Sequence, residues 1–310
     1  NILVGTAILC MYGKCGDLPQ AEAMFTTLVQ LDTVAWNAML SALVDHKQGE
    51  NALLLYSQMQ QNGKSPDKST FVILLQACIV IVEVEMHTFG EQTMKMIALE
   101  IGRALHADIN KKDYIKDIHL NNAILNLYAK LGALMECEHI FSMLPELTIM
   151  SWNAMLVAYL EVGQAENALQ LYMVMNERVM VADNLTFVLI LRACSMLMSH
   201  FEIMSQDIGY IIHSEALKKG FSSDLFISST LVSMYGKCGV IEKAKNILDD
   251  WPMSNVVPCN AMLSAYVEQD QGDKALELYR RMQDGNMTVT DITHLCVLQA
   301  CGSEGCSEVC

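Results

Sequence analysis

Side chains that could do chemistry are scattered through this 310-residue sequence, but none of them closes into a reaction centre. His213-Ser-Glu215 and Pro258-Cys259 imitate the halves of a zinc deaminase signature, His-x-Glu followed by Pro-Cys-x-x-Cys, whose metal activates water to attack a base. Met262 stands where the second cysteine is required, so the pair reads as a chance match. Gly63-Lys-Ser65 resembles the end of a phosphate-binding loop. Gln58 takes the place of its first glycine, however, and no strand precedes it. Cys301, Cys306 and Cys310 are closely spaced with His294 nearby, and a zinc site there would need a fourth ligand and a pocket. No triad, paired-carboxylate pocket or dinucleotide loop emerges. The expectation is a chain with no catalytic residue, no cofactor and no metal.

Composition narrows the class further. Lys plus Arg number 20 against 35 Asp plus Glu, a net charge of −15. Non-specific nucleic-acid affinity comes chiefly from basic charge, so broad backbone-driven binding is excluded. Apolar residues make up 52%, too many for a disordered chain. Seventeen glycines and five prolines are too few for a β fold built on many tight turns. The eleven cysteines, an odd number with no secretory signal at the start, read as reduced thiols rather than a disulfide framework. The longest apolar stretch, Phe71 to Val82, is broken by Gln76 and is too short to cross a bilayer. A soluble, folded, helical chain is expected. It opens at Asn1 and closes at Cys310 inside an unfinished pattern, so it reads as cut at both ends, with any targeting peptide outside it.

The elements that position these residues show themselves as repeats. Trp36-Asn-Ala-Met-Leu40 recurs as Trp152-Asn-Ala-Met-Leu156 and as Cys259-Asn-Ala-Met-Leu263. Tyr12-Gly-Lys-Cys-Gly16, Tyr128-Ala-Lys-Leu-Gly132 and Tyr235-Gly-Lys-Cys-Gly239 recur at the same two offsets, as do Gln76-Ala-Cys78, Arg192-Ala-Cys194 and Gln299-Ala-Cys301. The chain is three copies of a long unit, the last one truncated. Each copy divides into helical hairpins. Val34, Trp36, Met39, Leu40 and Leu43 make one apolar stripe at helical spacing, and Ala52, Leu53, Leu55, Tyr56 and Met59 make the next. Pro66, Pro145 and Pro252 fall between hairpins, Pro19 in a first helical turn, and Pro258 at a helix start. A hairpin of about 35 residues cannot bury its own stripe, so neighbours must stack into an all-α solenoid.

These motifs resemble the pentatricopeptide repeat (PPR) family in its plant-type version, with alternating S-, P- and L-type repeats. Residues 2–32, 118–148 and 225–255 are similar to S-type repeats, and 33–67, 149–183 and 256–290 to P-type repeats. Residues 68–117 and 184–224 are similar to L-type repeats, ending in Gly102-Arg-Ala-Leu-His106 and Gly209-Tyr-Ile-Ile-His213, and 291–310 begin a third. The L-type segments carry extra residues after Cys78 and Cys194, which are expected to bulge from a turn. The resemblance implies a right-handed α-solenoid of stacked helix-turn-helix repeats. It also implies sequence-specific binding of single-stranded RNA, one base per repeat, in a mitochondrion or chloroplast. There the chain would serve RNA processing, editing or stabilisation, with any editing or processing factor supplied in trans. The rival solenoid reading is a tetratricopeptide-like scaffold that grips proteins.

In the family the fifth and last residues of a repeat meet the base edge. By that resemblance Thr6 with Asp32 reads guanine. Asn37 with Asp67, and Asn153 with Asp183, read uracil, and Ser229 with Asn255 reads adenine. Asn122 with Thr148 and Asn260 with Thr290 are less standard and point to a pyrimidine. An ionised Asp only accepts, which suits the imino N–H of uracil and guanine, whereas Asn, Ser and Thr can also donate. Val72, Val188 and Leu295 occupy the fifth position of the L-type segments and have no polar vote. Leu3, Val34, Met150, Leu185, Phe226, Val257 and Ile292, at the second position, would flank the bases, where Ser69 and His119 do not fit. Their alternative role is ordinary packing. Lys14, Lys130 and Lys237, at the thirteenth position, could reach the RNA backbone, but Asp45, Glu161 and Glu268 occupy that position in the P-type segments. Affinity should therefore be modest and its salt dependence shallow. Cys15 and Cys238 are expected to be small buried hydrophobes, and His106 and His213 to pack or hydrogen-bond rather than ligate a metal.

Overall fold

Lys-x-Gly is a helix stop, and its geometry recurs wherever the motif does. Gly16, Gly132 and Gly239 adopt positive φ, at 86°, 70° and 70°. The N–H of the next residue then closes on the carbonyl of Tyr12, Tyr128 or Tyr235 five residues back. Those are left-handed caps that let a second helix turn back along the first. In a computed structural model describing residues 2–28, 31–197, 202–221, 224–250 and 255–304, hairpins built this way make up the chain. No strand occurs among the described residues. Pro252, Cys306 and Cys310 lie outside them.

The chain divides after Val162 into two units. The first contains α1 (Ile2–Cys15), α2 (Leu18–Thr27), α3 (Thr33–Asp45), α4 (Gly49–Gln61), α5 (Lys68–Phe89), α6 (Glu91–Lys111), α7 (Ile118–Lys130), α8 (Leu134–Met143) and α9 (Ile149–Glu161). The second contains α10 (Ala165–Glu177), α11 (Asn184–Leu197), α12 (Glu202–Lys218), α13 (Leu225–Lys237), α14 (Ile241–Asp249), α15 (Val256–Glu268), α16 (Gly272–Asp284) and α17 (Asp291–Glu304). In the first unit the odd-numbered helices stack in succession, α1 on α3, then α5, α7 and α9. In the second, α11, α13, α15 and α17 do the same. Within each unit the intervening helices pack against the odd helices beside them, α10 against α11, so each unit is an α-solenoid of stacked hairpins.

Packing explains the motifs. Trp36 is buried edge-on to Phe25, with ring centroids 5.0 Å apart, and Trp152 repeats the contact with Phe141 at 5.2 Å. In the third copy both partners shrink, to Cys259 and Leu248, and both are buried. A Cβ on Gly102 would come within 2.6 Å of Leu127, so the glycine lets α6 approach α7. One turn later His106 Nδ1 lies 3.1 Å from the hydroxyl of Tyr128, and His213 Nδ1 lies 2.9 Å from that of Tyr235. Both histidines are hydrogen-bonded packing residues. Cys78, Cys137 and Cys194 are buried, and burial pushes their thiols up to about 12.

Two expectations are corrected. Cys15 is exposed and Cys238 half-buried, because each sits at the C-terminal end of its helix, Cys15 as the last residue of α1 and Cys238 as the cap of α13. The extra residues after Cys78 do not bulge from a turn. They lengthen α5 to 22 residues and α6 to 21, joined by Gly90 alone at φ 84°. Val80, Ile81, Val82, Met94 and Ala98 are buried, so the insertion continues both helices and buries its own apolar face. The corresponding extra residues 198–201 lie outside the described residues.

Val179 adopts φ 57° at a turn where Gly63 has 69° and Asn286 has 55°. A β-branched residue is strained there, and Val179, 85% exposed, has little packing to offset it. Val179→Gly is expected to stabilise by roughly 0.5–1 kcal/mol, the strain relieved exceeding the entropy that glycine adds to the unfolded chain. An unchanged or lower thermal midpoint would contradict this. A second expectation concerns pH. Burial lowers the pKa of His106 and His213 from the ordinary 6.5, with smaller contributions from His139 and Lys243 respectively. Below that value the unfolded chain takes up protons that the folded one resists, so stability is complete above about pH 6.5 and declines as pH falls through it. Thermal melts from pH 7.5 to 5.5 should show the decline, and His106→Gln with His213→Gln should flatten it.

Candidate nucleic-acid interface

Each stacked helix leaves N–H groups unpaired at its start, and a side chain just before it supplies the acceptor. Asp32 accepts from the N–H of Ala35 at 2.8 Å, Asp67 from Thr70 at 2.8 Å, Asp183 from Thr186 at 2.8 Å, and Asn255 from Val257 at 2.9 Å. Thr148 forms a reciprocal capping box with Ser151. The N–H of Thr290 donates to the Thr293 hydroxyl at 3.0 Å. The residues read from the sequence as last-position base readers are therefore also helix caps.

Three of the fifth-position asparagines meet them. Asn37 Nδ2 donates to Asp67 Oδ1 at 3.0 Å, Asn122 Nδ2 to Thr148 Oγ1 at 3.2 Å, and Asn260 Nδ2 to Thr290 Oγ1 at 3.0 Å. The far end of each amide is also engaged. Thr70, Ser151 and Thr293 donate their hydroxyls to the carbonyls of Asn37, Asn122 and Asn260 at 2.7, 2.8 and 2.7 Å. Asn122 and Asn260 are buried and Asn37 half-buried, so the amides are neither solvated nor capping groups. Asn153 is buried in the first unit, while Asp183 caps α11 in the second.

Other pairs are not joined. Thr6 is buried, and its hydroxyl has no hydrogen-bond partner among the described residues. Ser229 donates instead to the carbonyl of Phe226, one turn back, at 3.0 Å. Where the fifth residue is aliphatic, the carboxylate finds another partner: Lys68 Nζ lies 2.8 Å from Asp117 Oδ2, and Asn184 Nδ2 donates to Asp224 Oδ2 at 3.2 Å. Those two carboxylates are engaged by the first residue of their own long helix pair.

Beside the caps runs a row of exposed apolar side chains. Leu3, Val34, Met150, Leu185, Phe226, Val257 and Ile292 range from 77% exposed at Leu3 to 45% at Val257. They stand two residues past each cap and take no part in the core. Lys14, Lys130 and Lys237 are exposed in the last turns of α1, α7 and α13, where a cation also favours the helix C-terminus. Asp45 and Glu268 are exposed at the corresponding ends of α3 and α15. Glu161 is partly compensated by Lys95 at 3.6 Å, a cation supplied by the lengthened α6.

Electrostatics set the protonation state of the best-defined pair. Burial alone would raise the pKa of Asp67, but hydrogen bonds from Thr70 and Asn37 outweigh it and hold the carboxyl below its ordinary value. Asp67 is therefore an acceptor only: its Oδ1 accepts from the Thr70 backbone N–H and from Asn37 Nδ2, and it lies 2.9 Å from the Thr70 hydroxyl whose hydrogen goes to Asn37. Among the described residues no group of three or more His, Cys, Asp or Glu side chains could hold a metal ion, and no helix is long and apolar enough to cross a membrane.

Hairpins stacked in this way, with an amide-and-cap cluster at three of the junctions, define a helical-repeat solenoid. Comparison with known proteins agrees. The signature of the PPR repeat family matches residues 31–79 and 254–303, and that of the single PPR repeat matches 150–178 and 226–256. A mitochondrial pentatricopeptide repeat-containing protein of Arabidopsis thaliana is 29% identical over 301 residues, covering 97% of this chain and 27% of its own length. The chloroplastic pentatricopeptide repeat-containing protein CRR2 of the same plant is 28% identical, covering 98% of this chain and 44% of its own length. The chain thus spans less than half of these relatives. The crystal structure of PPR10 in complex with an 18-nt psaJ RNA element matches with a TM-score of 0.66 at 17% identity, over 93% of this chain and 40% of that one. The chain belongs to the pentatricopeptide repeat family.

The third-position hydroxyls were not singled out from sequence. Their signal was present: Asp67-x-x-Thr70 and Thr148-x-x-Ser151 are capping pairs in which both members carry oxygen. The cluster around Asn122 is expected to hold α7 to α9. Asn122→Ala should cost about 1–3 kcal/mol by leaving two buried hydroxyl contacts unmade. Asn126→Ala, exposed on the same helix, should stay within about 0.5 kcal/mol. Urea midpoints of the two variants check this, and equal midpoints would contradict it.

Proposed function

We propose that this chain binds single-stranded RNA in a sequence-specific way, one base per hairpin, and serves RNA processing, editing or stabilisation in a mitochondrion or chloroplast. The observation that carries the reading is the pairing of fifth-position amides with last-position caps beside a row of exposed apolar side chains. The RNA-bound state of PPR10 and the organellar names of the relatives support it. The repeats are the S-, P- and L-type segments read from the sequence, and each apolar residue of the exposed row lies against a base face.

The geometry gives each cluster a chemical vote. With Asp67 Oδ1 occupied, Oδ2 is left to accept an imino N–H, and the second N–H of Asn37 is left to donate to a carbonyl. One acceptor beside one donor matches the edge of uracil. Thr148 and Thr290 replace the carboxylate with a hydroxyl that can donate or accept, which fits either pyrimidine. At Asp117 and Asp224 the fifth residue is aliphatic and the carboxylate is engaged, so those segments read nothing. The preferred strand is 5′-G-U-n-Y-U-n-A-Y-3′, with any editing or processing factor supplied in trans.

Fluorescence anisotropy against that oligonucleotide and a scrambled one tests the reading. Preferential binding to the first is expected, with Asp67→Asn shifting the second base from U toward C. Replacing Lys14, Lys130 and Lys237 by Gln should reduce the slope of log affinity against log salt by roughly 2. Equal, undetectable binding to both strands at low salt would overturn RNA binding in favour of a protein-gripping scaffold.

A further inference from the structure

We propose that Thr70, Ser151 and Thr293 are positioning residues for base recognition: each hydroxyl fixes the amide of the asparagine one hairpin earlier. This rests on the RNA-binding reading and deepens it, because it makes each reader a composite of two hairpins. The asparagine comes from one, the cap from its end, and the hydroxyl from the first turn of the next.

An Asn amide presents a donor at one end and an acceptor at the other, and rotating it exchanges them. The three hydroxyls stand 2.7–2.8 Å from the carbonyl oxygens and give each a donor. Each hydroxyl also accepts the N–H of the capping residue: Asp67 at 3.1 Å, Thr148 at 3.2 Å and Thr290 at 3.0 Å. It is thus oriented by the start of its own helix. With the carbonyl held, Nδ2 faces the cap and its second hydrogen keeps one direction toward a base. Without the hydroxyl the buried carbonyl of Asn37 has no donor, and the amide gains by turning away from its present place. Beside Thr148 the loss is sharper, since a threonine hydroxyl accepts from Nδ2 or donates to Oδ1 with equal ease.

The sequence carries an independent sign of the same coupling. Asn37, Asn122, Asn153 and Asn260 are each followed, three residues past the next cap, by Thr70, Ser151, Thr186 and Thr293. Thr6, Val72, Val188 and Ser229, which have no amide to hold, are followed at the same place by Ala35, Leu120, Ile227 and Pro258. All four amides have a hydroxyl at that position, and none of the other four fifth residues does. Capping alone does not account for this, because Asp32, Asp117, Asp224 and Asn255 cap their helices without one.

The test measures discrimination rather than affinity. Oligonucleotides differing only at the base opposite residues 33–67 are titrated against the full chain and against Thr70→Val and Thr70→Ser. The ratio of Kd for C to Kd for U is expected to fall roughly fivefold in Thr70→Val and to hold within about twofold in Thr70→Ser. A purely structural loss would weaken both strands together and leave the ratio unchanged. Ser151→Ala, read at the base opposite residues 118–148, repeats the test at a smaller change in volume should Thr70→Val fail to fold. A wild-type chain that discriminates, with Thr70→Val or Ser151→Ala discriminating equally, overturns the positioning role and leaves RNA recognition standing. A wild-type chain that does not discriminate overturns the RNA reading itself, and this inference with it.

Discussion

The start of each stacked helix sets the terms for everything else in this chain. Four backbone N–H groups there have no partner within the helix, and one short polar side chain before the first turn satisfies the most exposed of them. Asp32, Asp67, Asp117, Thr148, Asp183, Asp224 and Asn255 all do this. A capping residue must be small, polar and half-exposed, and it must sit where one hairpin hands over to the next. Those are also the demands on a group that reads one base per hairpin. In the proposed RNA-binding role, stability and recognition would fall on the same atoms, and the choice among Asp, Asn and Thr would change the reading more than the fold.

The amide cluster follows from that constraint. An asparagine on the preceding helix reaches the cap only because consecutive odd-numbered helices pack closely. Small residues make this possible: a Cβ on Gly13 would come within 2.9 Å of the Cβ of Ala42, at the α1–α3 contact. Trp36 against Phe25 and Trp152 against Phe141 fill the wider gap toward the intervening helix. At three junctions the fifth residue, Asn37, Asn122 or Asn260, lies within hydrogen-bonding reach of the next cap. Once there, a buried amide needs partners at both ends. The cap supplies one and the third-position hydroxyl the other.

Much of this was legible in the sequence because it repeats. Offsets shared by three motifs identified the long repeat, Lys-x-Gly marked helix ends, and the resemblance to the pentatricopeptide family put Asn37, Asn122, Asn153 and Asn260 among the candidate readers. Exposure of Phe226 and Val257 was left open, since an apolar residue at helical spacing is usually core, and only three-dimensional stacking shows which flank of the helix is covered. The helical continuation of 79–101 was missed for a related reason. Extra residues in a repeat invite a loop, but these continue two helices in which Val80, Ile81, Val82, Met94 and Ala98 are buried. Cys15 and Cys238 recur in register yet stay accessible, because repetition reports equivalence of position and not burial. The third-position hydroxyls were hidden by distance, about thirty residues from the amides they hold.

The net charge of −15 looks different once the acids are placed. Asp17, Asp32, Asp67, Asp117, Asp183 and Asp224 each face a helix N-terminus, whose aligned peptide dipoles act as roughly half a positive charge. Asp117 is further neutralised by Lys68, and Glu161 by Lys95. The capping acids are therefore compensated locally, whereas Asp45 and Glu268 stay exposed at the ends of α3 and α15. In the proposed role, a phosphate near Lys14, Lys130 or Lys237 would meet an exposed cation before it met the average charge of the molecule. Beyond a screening length of about 8 Å, the remaining carboxylates contribute little to the encounter. The acidic balance then acts as a filter. In the proposed role it would suppress binding driven by backbone charge alone and leave selection to the hydrogen-bonding edges of the bases.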